Sequence, residues 1–326
     1  MGHDAGVHPS PPGRSVFDPE LRAALAVVGG VFPPTITPDL IPFMRRAYAS
    51  PPRDDLLAGR DVTVEDVEVP GWGAAIGASI VRPSAGAAGP GILLLHSGGM
   101  MFGDRFSGAD HALRWVEQLG AVLVTVDYRL APEHPDPVPF EDCYAALEWF
   151  ASHAGRLGVR SDRLLVAGAS AGGGLAAGVA LAARDRGGPR LRGQLLDYPM
   201  LDDRGLTPSM HAFDGVGVWD RVSNETGWRA LLGDRVGGPD VSAYAAPARA
   251  EDLRDLPPAF IDVGSAEIFR DEAVDYARRL WEAGVDAELH VWPGAFHACD
   301  VFAAHTSIAR AMIRAREDWL RRLLAQ

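Results

Sequence analysis

The chain contains no lysine: all 31 of its basic residues are arginine. That absence excludes a lysine Schiff base, and with it pyridoxal-phosphate chemistry of the lysine-linked kind. It also excludes a Walker-type phosphate lysine and the SxxK acylation motif. Cysteine is nearly as scarce, with only Cys143 and Cys299, far apart in sequence. A disulfide framework is therefore not expected, and two reduced thiols suit a cytoplasmic location. Positive charge is in deficit, at 31 basic against 43 acidic residues for a formal charge of −12, which disfavours nucleic acid as a partner. HExxH and Cys/His clusters are missing, so no metal is expected. The opening residues MGHDAGVHPSPPGRS lack an apolar signal core and read as a flexible leader of an unexported protein.

One stretch could be mistaken for a membrane span. Val166 to Ala183 carries no charge and contains a GxxxG pattern. Glycine and alanine dominate it, and a strand-to-helix turn is predicted within it, so it reads as a buried elbow and helix. No membrane partner is expected.

Hydrophobic content of 47% and charged content of 23% fit an ordinary globular core. Asp18 and Pro19 supply a cap and first-turn proline before Leu21, Leu25 and Val28, and a second helical stretch runs from about Asp39 to Ala49. Strands are predicted at Val62 to Val69, Ala75 to Val81, Ile92 to Leu95, Val122 to Val126, Leu164 to Ala167, Gln194 to Leu196, Phe260 to Val263 and Glu288 to Val291. Their alternation with helices implies an α/β fold with a mostly parallel sheet and helices on both faces. Active sites in such sheets lie at the carboxyl ends of strands.

Chemistry is signalled first at Gly168 to Gly172, which reads GASAG. This GxSxG pentapeptide ends a strand-like run and opens a Gly/Ala-rich helical run, the arrangement of a nucleophile elbow centred on Ser170. Upstream, the strand Gly91 to Leu95 runs into His96, Ser97, Gly98, Gly99 and Met100, where an oxyanion loop belongs. Downstream, Glu267 follows the strand ending at Val263, and His297 follows the strand ending at Trp292. Serine, acid and histidine thus occur in the order a hydrolase sheet requires.

These residues, with the DYRLAPE segment Asp127 to Glu133, resemble the hormone-sensitive-lipase-like bacterial esterases of the α/β-hydrolase superfamily. The resemblance covers about Val62 to the C-terminus. It implies an eight-stranded α/β-hydrolase sheet with a helical cap. The expected division is a leader and N-terminal cap helices over 1–55, a core over 56–201 and 238–326, and a cap insertion over 202–237. Carried over by residue, it implies Ser170 as nucleophile, His297 as base, and the N–H groups of Gly98, Gly99 and Ala171 as the oxyanion hole. The family's HGGG is HSGG here, and its HGF reads His297, Ala298, Cys299.

Position within a DPLRD-like segment selects Glu267 as the acid. Asp271 reads as the N-cap of a following helix with Val274, Ala277 and Leu280 on one face. Asp262, Asp197, Asp202 and Asp203 are the remaining alternatives. Met100, Met101 and Phe102 are expected to wall the pocket, and Trp219 to belong to a lid over the serine. Trp228 belongs to the same lid, and for either tryptophan alone anchoring the cap to the core is the expected role. Cys299 reads as a small apolar side chain beneath the histidine loop, and His96 as a residue that orients backbone. His3, His8, His111, His134, His153, His211, His290 and His305 show no paired spacing.

The function so implied is a cofactor-free serine carboxylesterase acting on short- to medium-chain acyl esters through a Ser-His-Glu triad. Amide, carbamate, thioester or biosynthetic acyl transfer on the same triad is an alternative. A non-catalytic ligand receptor on the same fold is another, although such receptors typically lose the histidine. A homodimer is compatible with the resemblance.

Overall fold

The computed structural model describes residues 17–30, 32–86 and 89–325. The predicted leader, Met1 to Ser15, lies outside them. Chain order is α1 (Pro19–Val28), α2 (Ile41–Ala47), α3 (Arg53–Leu57), β1 (Val62–Pro70), β2 (Ala75–Pro83), β3 (Gly91–Leu95), α4 (Asp110–Leu119) and β4 (Val122–Val126). Then come α5 (Val138–His153), β5 (Leu164–Ala169), α6 (Ala171–Asp185), β6 (Gly193–Asp197), α7 (Pro208–Ala212) and α8 (Arg221–Leu232). The chain closes with β7 (Ala259–Gly264), α9 (Arg270–Glu282), β8 (Ala287–Trp292), α10 (Cys299–Phe302) and α11 (Ser307–Ala325).

The strands form one eight-stranded sheet in the order β1-β2-β4-β3-β5-β6-β7-β8. Pairing of β1 with β2 and of β2 with β4 is antiparallel. Every pairing from β4 onward is parallel. Strands β3 to β7 are almost wholly buried, with continuous apolar runs such as Gly91–Leu95, as strands covered on both faces must be. One large apolar cluster lies on one face and a second, containing Trp115, Phe260 and Trp319, on the other.

Local chemistry explains the ends of the elements that matter. The Asp18 carboxylate accepts from Glu20 N–H and Leu21 N–H, capping α1 ahead of Pro19. The predicted second stretch divides into a short 3₁₀ turn at Pro38–Leu40 followed by α2, and Tyr48 stands just past the last residue of α2. Asp271 does not cap α9. Phe269 occupies the cap position, and the Asp271 carboxylate accepts from Ser209 N–H at 2.7 Å, tying α9 to α7. The buried face of α9 is Glu272, Ala273, Tyr276, Ala277 and Leu280, so Val274 lies beside it. No helix among the described residues is long and apolar enough to cross a membrane.

Candidate active site

Strand β5 delivers Ser170 with a φ of 56° and ψ of −119°, a left-handed backbone that a serine adopts only when its surroundings hold it there. The flanking glycines are required by contact. A Cβ on Gly168 would sit 2.2 Å from Gly172 O, and one on Gly172 would sit 2.0 Å from Leu95 O. The elbow backbone is also stitched to β6: Ser170 N–H donates to Asp197 O at 2.8 Å, and Met200 N–H donates to Ser170 O at 3.0 Å.

His297 follows β8 and presents Nε2 3.0 Å from Ser170 Oγ. Its Nδ1 lies 2.6 Å from Glu267 Oε2. A carboxylate only accepts when ionised, so it selects the Nδ1–H tautomer and leaves Nε2 free to take the serine proton. The other oxygen, Glu267 Oε1, accepts from Gly264 N–H at 2.7 Å. Ser170, Glu267 and His297 are all buried. Burial pushes the Glu267 pKa above the ordinary glutamate value, although His297 and the Gly264 N–H oppose the rise. The rings of Tyr198 and Phe269 meet His297 edge-on, with centroids 4.9 Å and 5.2 Å away.

The other acidic candidates are engaged elsewhere. Asp202 holds Arg204 and Asp203 holds Arg249. Asp271 holds Ser209 and Arg270. Asp197 and Asp262 surround the buried Arg316.

Gly98 and Gly99 follow β3 with φ values of 121° and 59°, and neither N–H donates to any acceptor among the described residues. Ala171 is the first residue of α6, where an N–H has no intrahelical acceptor. Gly98, Gly99, Ser170 and His297 line one pocket of about 40 Å³. His96 does not reach it. Its Nδ1–H donates to Ser97 O at 2.8 Å, its ring stacks on Tyr128, and burial lowers its pKa, consistent with a neutral ring that orients the loop.

Phe102 and Trp219 line this pocket, and Trp219 packs so closely that a Cβ on Gly99 would meet its ring at 2.2 Å. Met100 and Met101 do not line it. Gly98 O accepts from the N–H groups of both Met101 and Phe102, forming a tight turn, and both methionines are fully buried in the main core. Trp228 is likewise buried and absent from the lining. Cys299 is buried, its sulfur 3.4 Å from the Met312 sulfur.

Sequence reasoning missed most of the remaining wall: Phe32, Ile36, Met44 and Tyr48 from the N-terminal segment, and Val218 and Phe302. An aromatic at the end of a predicted cap helix, Tyr48, was the one available signal. A wider cleft of about 630 Å³, bordered by Arg160, Arg163 and Arg190, contains none of the motif residues. No group of side chains among the described residues could hold a metal ion.

Known proteins resemble this chain in sequence and in fold. A family model described as the alpha/beta hydrolase fold matches residues 92–301. Esterase LipI of Mycobacterium tuberculosis is 39% identical over 236 residues, covering 71% of this chain and 72% of that protein. Carboxylesterase NlhH of the same organism is 38% identical over 66% of this chain and 67% of its own. Among solved structures, a bacterial heroin esterase superposes with a TM-score of 0.87 at 37% identity, over 95% of this chain and 98% of that one. Esterase LipW from Mycobacterium marinum gives a TM-score of 0.84 at 32% identity, over 94% and 96%. With an elbow serine, a histidine after the last strand and this similarity over most of its length, the chain belongs to the hormone-sensitive-lipase-like family of α/β-hydrolases.

Proposed function

We propose that the protein is a serine carboxylesterase acting on short- to medium-chain acyl esters. The observation that carries this reading is the continuous chain from Ser170 Oγ through His297 to Glu267, at 3.0 Å and 2.6 Å, facing a pocket that also holds two backbone donors without acceptors among the described residues. Relatives named as esterases and carboxylesterases support it.

The chemistry follows from the geometry. His297 Nε2 takes the Ser170 proton as Oγ bonds to the ester carbonyl carbon. The N–H groups of Gly98, Gly99 and Ala171 donate to the developing oxyanion, and Glu267 stabilises the imidazolium. Collapse expels the alcohol, which takes the proton from His297 and leaves an acyl-enzyme. Water, deprotonated by His297, attacks that acyl-enzyme to release the acid and restore Ser170. A pocket of about 40 Å³ walled by Phe102, Trp219 and Phe302 supports a short acyl group. The cap is proposed to comprise α1 and α2 together with the 202–237 segment; the stretch from Phe32 to Tyr48 lines the pocket on one side, and Val218 and Trp219 line it on the other.

Hydrolysis of 4-nitrophenyl esters from acetate to palmitate, beside Ser170→Ala, tests the reading. Turnover peaking at short chains and absent in the variant is expected. Fluorophosphonate labelling without turnover of any ester would redirect the same machinery to another acyl group, and no labelling would overturn the reading. A cytoplasmic location and a homodimer are further proposals, the first supported by two free, buried thiols. Cell fractionation and light scattering test them.

A further inference from the structure

Ser97 stands where the family motif has glycine, and its side chain has a specific partner. Ser97 Oγ lies 2.7 Å from the hydroxyl of Tyr48, a residue 49 positions earlier that follows α2. The Tyr48 ring is boxed in by aromatics, edge-on to Phe102 at 5.4 Å and to Phe32 at 6.1 Å, and tilted against Phe302 at 6.4 Å. Such a ring has little rotational freedom, so its hydroxyl is a fixed point for Ser97 to bond.

The same segment grips the loop again on the far side of the two donors. Arg45, at the end of α2, donates from Nε to Met101 O at 2.9 Å. It also donates to Ala131 O at 3.1 Å and forms a bidentate pair with Glu133 in the DYRLAPE segment. Gly98 and Gly99 therefore lie between two anchors, Ser97 held by Tyr48 and Met101 held by Arg45.

We infer that Tyr48 is a positioning residue for ester hydrolysis: through Ser97 it sets the backbone geometry of the Gly98 and Gly99 donors. This rests on the esterase reading above. Oxyanion stabilisation depends on donor placement to within tenths of an ångström, so a loop bearing a serine in place of glycine requires that side chain to be fixed. Removing the Tyr48 hydroxyl leaves a buried Ser97 hydroxyl without its partner, free to pull the loop toward another one.

The experiment is a double-mutant cycle on Tyr48→Phe and Ser97→Gly. Burst titration with a fluorophosphonate normalises each variant to its active Ser170, and thermal unfolding identifies any that are misfolded. Tyr48→Phe is expected to lower kcat about 3- to 10-fold, the equivalent of one hydrogen bond, with KM changed less than about twofold. In the Ser97→Gly background the same substitution should change kcat less than about twofold, because the link it breaks is already gone.

Equal losses in both backgrounds would overturn the inference and make Tyr48 a direct substrate contact. A rise in KM alone would reduce it to a pocket wall. A wild type that neither turns over esters nor labels would remove the esterase reading itself, which separates that failure from this one.

Discussion

Two buried charge centres lie within a few residues of each other, and they are built in opposite ways. In the first, the single carboxylate of Glu267 faces a titratable imidazole, His297, at 2.6 Å. In the second, Arg316 of α11 is surrounded by Asp197, Asp262 and Asp300, with His111 3.2 Å from Asp300. Tyr198 joins them, its ring edge-on to His297 and under the Arg316 guanidinium. A permanent cation among carboxylates fixes geometry, whereas an imidazole opposite one carboxylate is what the proposed proton transfers require.

The second centre holds the frame of the first. Asp197 ends β6, where its carbonyl takes the Ser170 N–H, and Asp262 lies in β7, where its carbonyl takes the Tyr198 N–H. Asp300 lies three residues past His297. One guanidinium thus ties the elbow, the strand before the acid and the histidine loop together.

The comparison breaks most visibly at Glu267. Glu267→Gln should cut kcat on the order of 10³- to 10⁴-fold while thermal stability changes little, measured by steady-state kinetics and calorimetry. Arg316→Met should do the reverse, leaving three carboxylates uncompensated and costing about 3–5 kcal/mol by urea unfolding. If Arg316→Met kept full stability and Glu267→Gln lost it, the roles assigned to the two centres would be exchanged.

Acid sharpens the contrast. Glu267 has a raised pKa, so on lowering the pH it protonates earlier than an exposed glutamate and the imidazolium loses its counter-charge. Burial pushes Asp300 up, but Arg316 and His111 outweigh it and hold its pKa below the ordinary aspartate value. Its stabilisation is present above the unfolded value, near 3.8, and is lost only as pH falls through the folded value. Burial raises Asp197 and Asp262 despite Arg316, so for them the sign reverses: protonation favours the fold, and their cost grows as pH rises above 3.8. Activity should therefore disappear at a higher pH than the folded state, a separation read by comparing kcat–pH and circular-dichroism–pH profiles. Coincident midpoints would refute it.

The smallest effect is expected at the neighbouring acid. Asp271→Asn weakens the α9–α7 tie and should cost about 1 kcal/mol of stability with kcat retained. A large kcat loss there, with Glu267→Gln active, would transfer the acid role to Asp271.

Much of this was legible because it is local. Strand runs and the GxSxG turn are patterns of neighbouring residues, the order of serine, acid and histidine follows from the strand end that each one succeeds, and the alternation of strands with helices led to the eight-stranded sheet. Asp271 reads as a cap for the same reason: a carboxylate at a helix start has a local explanation, while its bond to Ser209 spans 62 residues. Met100 and Met101 were misassigned because adjacency to the oxyanion loop says nothing about which way a tight turn aims each side chain.

By itself, then, the sequence determined the elements, the elbow and the chemical types available to the site. Tertiary structure alone decided that Tyr48 reaches Ser97, that Arg45 reaches Met101, and that Arg316 gathers three aspartates from separate parts of the chain. Backbone propensity and hydrophobic period act over a few residues. Contacts between side chains dozens to more than a hundred positions apart exist only once the sheet and its layers have packed.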